Sequence, residues 1–379
     1  MSAPPSIPFN RPSIVGEEAR YMAEAVARGH ISGDGEFTRR CAQLLQHELG
    51  VPAVLLTTSC THALEMAAIL LDLGPGDEVI VPDFTFVSTA NAFVLRGARP
   101  VFVDIRPDTL NLDERLLEAR IGPRTRAIVP VHYAGVGCAM DDIADLASRR
   151  GVAVVEDNAH GLFGKRGGRM LGTWGQMATL SFHETKNFSC GEGGALLVND
   201  EQYLVRAEIV REKGTNRKRF FRGEVDKYSW VDIGSSYLPS DLLAAYLFGQ
   251  LEQKEKVLVA RKRTWDRYAS ELGSWAVTRG VGLPVVPADC LSSYHMFYMI
   301  LPTADARSRL ITHLSNRAIL AVFHYLPLHL SAMGKTFGGR VGDCPVTESI
   351  SDRLVRLPLY TSMTREEQDR VIDAVLSFS

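Results

Sequence analysis

The stretch that decides the fold is Ser181-Phe182-His183-Glu184-Thr185-Lys186-Asn187, which leads into Gly-Glu-Gly-Gly at residues 191–194. Lys186 stands between an apolar run at residues 177–182, which predicts a strand, and a glycine-rich turn. A lysine in this position is not placed for solvation, and a partly buried amine is the kind that forms Schiff bases. The pattern suggests pyridoxal phosphate chemistry, although most lysines near loops are simply solvated.

A second segment supports this hypothesis. The apolar run at residues 152–155 ends in Glu156 and Asp157. In a parallel sheet, ligands bind beyond the carboxyl ends of the strands, which would place Asp157 at the mouth of a site. A carboxylate there can pair with the pyridine nitrogen of pyridoxal phosphate and keep it protonated. The alternative is that Asp157 caps a helix.

A third segment has the character of a phosphate-binding turn. An apolar run at residues 55–56 is followed by Ser59, Cys60 and Thr61 and then by a helical pattern. Backbone amides at such a helix start, aided by the helix dipole, form a cup for phosphate, and these side chains can add donors. The chain contains neither P-loop nor dinucleotide glycine fingerprints. Ordinary helix capping is the alternative reading of these three residues.

In the order phosphate cup, aspartate, lysine, these segments resemble the aspartate-aminotransferase type of pyridoxal phosphate fold (fold type I). Nearly the whole chain resembles the sugar aminotransferases of the DegT/DnrJ/EryC1/StrS family. Further motifs that carry the resemblance are residues 85–91, 191–194 and 324–329. The stretches that look most like TDP-4-keto-6-deoxyglucose 4-aminotransferases are residues 60–68, 84–98, 129–134, 211–216, 220–230 and 233–246.

The resemblance assigns roles around the cofactor. Lys186 would carry pyridoxal phosphate and move protons, and Asp157 would pair with the pyridine nitrogen. The other expected cofactor-binding residues are Ser59, Cys60, Thr61, Phe86, His160, Ser181 and Ser236. His160 stands where many relatives have a glutamine near the phenolic oxygen. Ser236 replaces an asparagine that reaches the partner subunit's cofactor phosphate, so this contact is expected to be weaker or mediated by water.

Phe86 is expected to stack on the cofactor ring, with core packing as the alternative. On the substrate side, the expected residues are His183, His324, Tyr325 and His329. Lys213 and Arg217 belong to a basic stretch, residues 211–222, that could attract a nucleotide diphosphate or form a solvated loop. We expect no metal, because no carboxylate follows these histidines at ligand spacing and the family uses none.

The resemblance implies ping-pong amino transfer from L-glutamate to C4 of a TDP-4-keto-6-deoxyhexose, through pyridoxamine phosphate. The products would be 2-oxoglutarate and a TDP-4-amino-4,6-dideoxyhexose, made by a homodimer with active sites at the interface. A 3-aminotransferase acting on a nucleotide-linked 3-keto sugar would use the same catalytic residues. A non-catalytic regulatory or binding protein on this fold would be expected to lose Lys186 or Asp157, and both are present.

The organisation of the chain agrees with an α/β enzyme. Over residues 53–199, short apolar runs alternate with helical patterns, which predicts a mainly parallel sheet with helices on both faces. The length of 379 residues allows a large cofactor-binding domain, residues 1–250, and a smaller C-terminal α+β domain, residues 251–379. Residues 239–272 read as one long helical region and residues 347–356 as another helix.

The composition of the chain bears on its expected binding partners and on its expected cellular compartment. A net charge of −2 implies no nucleic-acid or anionic-membrane partner. The six cysteines are scattered without a metal-ligand or CxxC spacing, which favours reduced thiols in the cytoplasm. Residues 1–5 lack the start of a signal peptide, and no apolar stretch approaches the length of a bilayer span. We therefore expect a cytoplasmic enzyme.

Overall fold

The computed structural model describes residues 6–378, so the expectation drawn from residues 1–5 lies outside it. The helices are α1 (Glu18–Ala27), α2 (Glu36–Leu49), α3 (Cys60–Leu70), α4 (Ser88–Val94), α5 (Met140–Arg150), α6 (Leu204–Arg211), α7 (Arg217–Phe221), α8 (Asp241–Leu251), α9 (Lys254–Arg279), α10 (Ala304–Ser315), α11 (Ala332–Thr336), α12 (Pro345–Arg353) and α13 (Arg365–Leu376). The strands are β1 (Ala53–Thr57), β2 (Glu78–Pro82), β3 (Arg99–Val103), β4 (Thr125–Ile128), β5 (Ala153–Asp157), β6 (Lys165–Arg166), β7 (Arg169–Met170), β8 (Met177–Ser181), β9 (Gly194–Val198), β10 (Cys290–Leu291), β11 (Phe297–Ile300) and β12 (Leu354–Leu357).

Seven strands form one sheet in the order β1-β9-β8-β5-β4-β2-β3. Every neighbouring pair from β8 to β3 is parallel, whereas β9 runs antiparallel to both β8 and β1. Among the seven strands of this sheet described within residues 6–378, β9 alone is therefore reversed. The mainly parallel sheet predicted from the alternating pattern is confirmed, and its parallel strands end at a common edge where ligands bind in such folds.

Helices cover both faces of this sheet. Successive residues of β1 point to opposite sides: Leu55 packs in a cluster with α3, and Leu56 packs in another cluster with α2 and α8. Strands β1 and β9 are buried at every position. Burial on both faces explains why these strands are continuously apolar in sequence.

A separate core lies in the C-terminal part of the chain. Strands β11 and β12 pair antiparallel and pack with α9, α10 and α13. Ile7 joins this core, because its backbone pairs with Ala318 and Leu320. The N-terminal segment thus crosses to the C-terminal core, and the division of the chain at residue 250 stays a prediction.

Two helical expectations differ from the structure. The region 239–272 forms two helices, α8 and α9, separated by residues 252–253. Residues 354–356, expected at the end of a helix, begin β12, with Arg356 opposite Tyr298 of β11. Pairing with a strand distant in sequence overrides the local helical pattern here. Within residues 6–378, no helix is both long and apolar enough to cross a membrane.

Candidate active site

A cavity of about 980 Å³ lies at the carboxyl ends of β5 and β8, beside the start of α3. Most of the predicted site residues line it. They are Ser59, Cys60, Thr61, Phe86, Asp157, His160, Ser181, His183, Lys186, His324 and Tyr325. The cavity lining does not include Lys213, Arg217, Ser236 or His329. The fold therefore brings together residues that are more than 200 positions apart in the sequence.

Lys186 is held in a loop that connects β8 to β9. The Phe182 amide donates a hydrogen bond to the Gly193 carbonyl (2.8 Å), so the two ends of the loop are joined beyond the paired strands. The Asn187 side-chain amide donates to the Ser293 carbonyl (2.7 Å). These contacts fix the residues on each side of Lys186 and leave its side chain directed to the cavity.

The Lys186 amine has an unusual protonation equilibrium. Burial lowers the pKa of Lys186 to about 8, and the positive charge of Arg356 acts in the same direction. Cys60 and Asp157 act in the opposite direction but do not cancel the effect of burial. A pKa near 8 leaves roughly one amine in ten neutral at pH 7, far more than for a solvated lysine. A neutral amine is the nucleophile and base that Schiff-base chemistry needs.

Asp157 and its neighbour Glu156 are both buried but differ in their surroundings. Thr89 Oγ1 donates to Asp157 Oδ2 (2.7 Å) and the Ala159 amide donates to Oδ1 (3.1 Å), while the side chain borders the cavity. Glu156 accepts from three backbone amides and pairs with His132 (2.9 Å), away from the cavity. Because successive side chains of β5 point to opposite faces of the sheet, Asp157 borders the cavity and Glu156 stabilises the surrounding backbone.

The start of α3 borders the cavity. Ser59 is the N-cap residue, and its hydroxyl accepts from the His62 amide (3.1 Å). The first amides of a helix, here those of Cys60 and Thr61, have no intrahelical acceptor and attract anions. A Cβ at Gly194 would lie 2.3 Å from the Ser59 carbonyl carbon, so glycine is required for β9 to pass this turn.

Three buried histidines, His160, His295 and His324, line the cavity together with Lys186. The rings of His160 and His295 stack with centroids 4.3 Å apart, and His295 Nδ1 lies 3.0 Å from Asn187 Oδ1. The Tyr133 hydroxyl lies 2.8 Å from His324 Nδ1. Burial lowers the pKa of all three imidazoles well below the usual value, so they are neutral near pH 7. Within residues 6–378, the buried His160 Nδ1 has no hydrogen-bond partner.

These groups fit pyridoxal phosphate chemically. The Lys186 amine can carry an aldehyde, the Asp157 carboxylate can pair with a protonated ring nitrogen, and the amides at the start of α3 can bind a phosphate. The unpaired His160 Nδ1 leaves a polar position for the phenolic oxygen. Which residues contact the cofactor remains a prediction that these positions support.

Phe86 is 57% exposed and borders the cavity, so it is not a core residue. Its ring centroid lies 6.3 Å from that of Tyr325. Tyr325 stacks on His324 with centroids 3.5 Å apart. The exposure of Phe86 removes core packing as an explanation and leaves its ring available to a bound ligand.

His329 does not face the substrate side as expected. It is fully buried, its Nδ1 lies 2.7 Å from Asp83 Oδ2, and its Nε2 lies 3.1 Å from Glu348 Oε1. The ligand atoms of Asp83, His329 and Cys344 lie within 4.8 Å of one another, but both ring nitrogens already contact carboxylates. The expectation fails because a 3-10 turn at Leu328–Leu330 directs His329 inward. We call Asp83, His329 and Glu348 the closed cluster.

The basic stretch is locally neutralised. Both Lys213 and Arg217 lie near Glu212 Oε1, at 3.0 and 3.4 Å. Ion pairs to Glu208 or Glu224 are made by Lys218, Arg219 and Arg222. Ser236 is exposed and pairs through its backbone with Glu212. Lys213, Arg217 and Ser236 do not line the cavity.

Arg356 was missed by the sequence analysis and borders the cavity. Its Nη2 donates to the Phe323 carbonyl (3.1 Å), and its guanidinium lies 4.5 Å from the Phe9 ring centroid. Its Nε is buried and has no partner within the described residues. Burial lowers its pKa, as expected for a cation without a compensating anion. Other lining residues that were not predicted are Phe9, Thr89 and His295.

The sequence and the fold have clear relatives. Residues 12–376 match the DegT/DnrJ/EryC1/StrS aminotransferase family. The GDP-perosamine synthase of Caulobacter vibrioides is 32% identical over 99% of both chains. The aminotransferase TlmJ from Streptoalloteichus hindustanus is 31% identical over 98% of both chains, with a TM-score of 0.89. The putative sugar aminotransferase Spr1654 from Streptococcus pneumoniae, solved in PLP and PMP forms, is 27% identical over 98% of both chains, with a TM-score of 0.91.

The match spans the motifs from which the site was predicted, including the start of α3, Asp157 and Lys186. It also spans the reversed strand β9 and the C-terminal β11–β12 pair, so the fold predicted by resemblance is confirmed. The chain therefore belongs to the DegT/DnrJ/EryC1/StrS aminotransferase family.

Proposed function

We propose that this chain is a pyridoxal phosphate-dependent sugar aminotransferase that moves the amino group of L-glutamate to C4 of a TDP-4-keto-6-deoxyhexose. The products are 2-oxoglutarate and a TDP-4-amino-4,6-dideoxyhexose. The observation that carries the proposal is the meeting of Lys186, Asp157 and the start of α3 in one cavity. The PLP and PMP forms of the relative Spr1654 support the cofactor assignment.

When bound, pyridoxal phosphate supplies an electrophilic carbonyl and a ring that accepts electrons. Lys186 Nζ supplies the amine, and its pKa near 8 allows it both to accept and to return a proton close to neutral pH. Thr89 and the Ala159 amide orient the Asp157 carboxylate towards the cavity, where it favours a protonated ring nitrogen. Asp157 thereby increases the capacity of the bound group to accept electrons.

The three buried histidines that border the cavity contribute no charge to the site. Since His160, His295 and His324 are neutral, they add no positive charge to compete with protonation of Lys186. Burial also raises the pKa of Tyr133 and keeps its hydroxyl protonated, so the contact between this hydroxyl and His324 Nδ1 joins two neutral groups. The three histidines thus offer neutral hydrogen-bonding groups that suit sugar hydroxyls.

The size of the cavity and one relative support the substrate class. A volume of about 980 Å³ exceeds what an amino acid fills and suits the sugar part of a nucleotide sugar. The Caulobacter vibrioides relative is named for a GDP-linked sugar, perosamine, which supports a nucleotide-linked substrate for this chain. The TDP nucleotide and the C4 position follow from the motif resemblance and are the finer parts of the proposal.

A homodimer is part of the proposal. The segment from the end of α7 onward presents large apolar side chains to solvent, with Phe221 69% and Trp230 80% exposed. Such a patch is typical of a protein interface. Ser236 lies at the end of this segment and outside its own cavity, as a residue would if it served the site of a second subunit. All six cysteines are free, which suits the reducing cytoplasm that we propose.

The test is product analysis with several acceptors. The purified protein, loaded with pyridoxal phosphate, is incubated with L-glutamate and either a TDP-linked 4-keto sugar, a GDP-linked 4-keto sugar or a TDP-linked 3-keto sugar. We expect NMR to show a new C4 amine only with the TDP-linked 4-keto sugar. Amination of the GDP-linked or the 3-keto acceptor alone would contradict the proposed substrate, and no amination of any acceptor would contradict the proposed activity.

A further inference from the structure

Arg356 lies in the cavity as a cation without an anion. Its recorded contacts are with the Phe323 carbonyl and the Phe9 ring, and neither carries a negative charge. The buried Nε has no acceptor within residues 6–378. The residue is half-buried, and a partly buried guanidinium that lacks an anionic partner costs folding free energy, which a bound anion can recover. A ligand with a negative charge would therefore stabilise Arg356 in this position.

Arg356 is also distinct among the cavity-lining residues. Within the described part of the chain, Lys186 is the other lysine or arginine that borders this cavity. Lys186 is committed to the cofactor in the proposed function, and the neighbouring histidines are neutral. Arg356 is therefore the permanent positive charge available to a substrate in this chamber.

The fold fixes the backbone that carries this guanidinium. The Arg356 amide donates to the Val322 carbonyl (2.8 Å), and the Val322 amide donates to the Arg356 carbonyl (3.2 Å). These bonds link β12 to the segment that carries His324 and Tyr325. A guanidinium on such a support can bind a carboxylate through two parallel hydrogen bonds without reorganising the site.

We propose that Arg356 binds a carboxylate of the amino donor. This inference rests on the proposed function and deepens it. Arg356 and Lys186 line the same cavity, so an anion on Arg356 shares this chamber with the reacting amine. In an amino acid, a carboxylate is only a few bonds from the amine. In a nucleotide sugar, the diphosphate is separated from C4 by the sugar ring, so the donor is the substrate that matches this placement.

The first experiment measures binding without chemistry. Isothermal titration of the pyridoxal phosphate-loaded protein with glutarate, an unreactive dicarboxylate, is compared between wild type, Arg356→Gln and Arg356→Lys. Loss of a charge-assisted hydrogen bond of about 1.5–3 kcal/mol corresponds to a Kd that is about 10- to 100-fold weaker in Arg356→Gln. Arg356→Lys keeps the charge and is expected to lose less. The uncharged analogue glutaramide is expected to bind wild type and Arg356→Gln equally weakly.

Arg353→Gln is the matched control. Arg353 is the same residue type three positions earlier, bonds to Ser349 and the Leu301 carbonyl, and does not line the cavity. We expect glutarate affinity to be unchanged in this variant. If Arg356→Gln does not fold, the comparison of glutarate with glutaramide in wild type still tests the inference, because equal affinities would overturn it.

The second experiment separates the two half-reactions. We expect Arg356→Gln to slow conversion of the cofactor by L-glutamate about 10- to 100-fold, mainly through KM, and to change the reaction of the amine-loaded enzyme with the keto sugar by less than about threefold. An unchanged glutamate step with an impaired sugar step would overturn the inference and indicate the diphosphate. If wild type binds glutarate through Arg356 but aminates no sugar, the proposed function fails while the carboxylate site stands.

Discussion

The Lys186 cavity and the closed cluster both bury carboxylates beside histidines, but they differ in how many polar atoms are paired. In the closed cluster, both ring nitrogens of His329 and both oxygens of Asp83 have partners. In the cavity, His160 Nδ1 and Arg356 Nε are buried without partners among residues 6–378. An unpaired buried polar group costs about 1–3 kcal/mol, so the cavity is arranged for a ligand that pairs these atoms. The closed cluster already has its own partners and serves stability.

The largest expected effect is on stability, in the closed cluster. His329→Leu would leave the buried Asp83 side chain and Glu348 without the imidazole that contacts both, and we expect the free energy of unfolding to fall by about 3–5 kcal/mol. Urea unfolding measures this loss. The activity per folded molecule is expected to remain within about twofold of wild type, because His329 does not line the cavity.

His47→Leu is the control for this prediction, since the His47 side chain is 88% exposed. We expect its stability to change by no more than about 0.5 kcal/mol. If His329→Leu instead had normal stability but lost activity, the closed cluster would serve catalysis and the comparison with the Lys186 cavity would be wrong.

The second prediction concerns the two adjacent carboxylates of β5. Asp157→Asn removes the charge that faces the cavity, and we expect kcat/KM to fall about 10²- to 10³-fold, with a change in stability below about 1 kcal/mol. Each carboxylate oxygen of Glu156 has two partners, and Glu156→Gln replaces one of these oxygens with an amide nitrogen that cannot accept, so we expect mainly a loss of stability. Steady-state kinetics and urea unfolding of both variants test the contrast, which equal losses of activity would contradict.

Part of the cavity was predictable from the sequence. Lys186 and Asp157 could be found because each follows a short apolar run, and parallel strands bring their carboxyl ends together. The start of α3 was predictable for the same reason, with Ser59 as a local capping signal. These predictions require only that the short apolar runs be recognised as strands and that the polar residues after each run be noted.

Arg356 and His329 depended on contacts that the sequence does not show. The local pattern assigns Arg356 to a helix, and only pairing with β11 turns its side chain to the cavity. His324 and His329 belong to one motif, yet one borders the cavity and the other contacts Asp83, which is 246 positions away. The basic stretch shows the converse, because Glu212, the acidic partner of Lys213 and Arg217, is close to both in sequence and could have been predicted to pair with them.

The third prediction concerns the stability cost of the Lys186 amine. The pKa of Lys186 is about 8 in the folded protein against 10.5 for the free side chain. The unfolded chain therefore binds more protons between pH 8 and 10.5, so the stability of the cofactor-free protein rises with pH in that window. Below pH 8 the penalty is complete, and we expect cofactor-free Lys186→Met to be more stable than wild type by about 1–3 kcal/mol.

Thermal or urea unfolding at pH 7, 8, 9 and 9.5 measures this difference, which is expected to shrink as the pH rises. Lys213→Met is the control, because the Lys213 side chain is 54% exposed and lies outside the cavity. A stability difference for Lys186→Met that is absent or independent of pH would contradict the lowered pKa.

The smallest expected effect is that of Thr89→Val. This nearly isosteric change removes the hydroxyl that donates to Asp157 Oδ2 and that contacts the Thr85 hydroxyl. Loss of one such hydrogen bond is worth about 1–2 kcal/mol, so we expect kcat/KM to fall about 5- to 30-fold. Thr38→Val, at a buried threonine that bonds to Asp241, is the control and is expected to affect stability alone.

The most direct test of the central claim, that Lys186 and its cavity carry amino transfer, is the visible absorption spectrum of the protein loaded with pyridoxal phosphate. It is recorded before and after L-glutamate, and again after a TDP-linked 4-keto-6-deoxy sugar, with Lys186→Ala alongside. We predict a visible band that requires Lys186, bleaches with glutamate and returns with the keto sugar. A band of equal intensity in Lys186→Ala, or a wild-type band that glutamate does not bleach, would contradict the account.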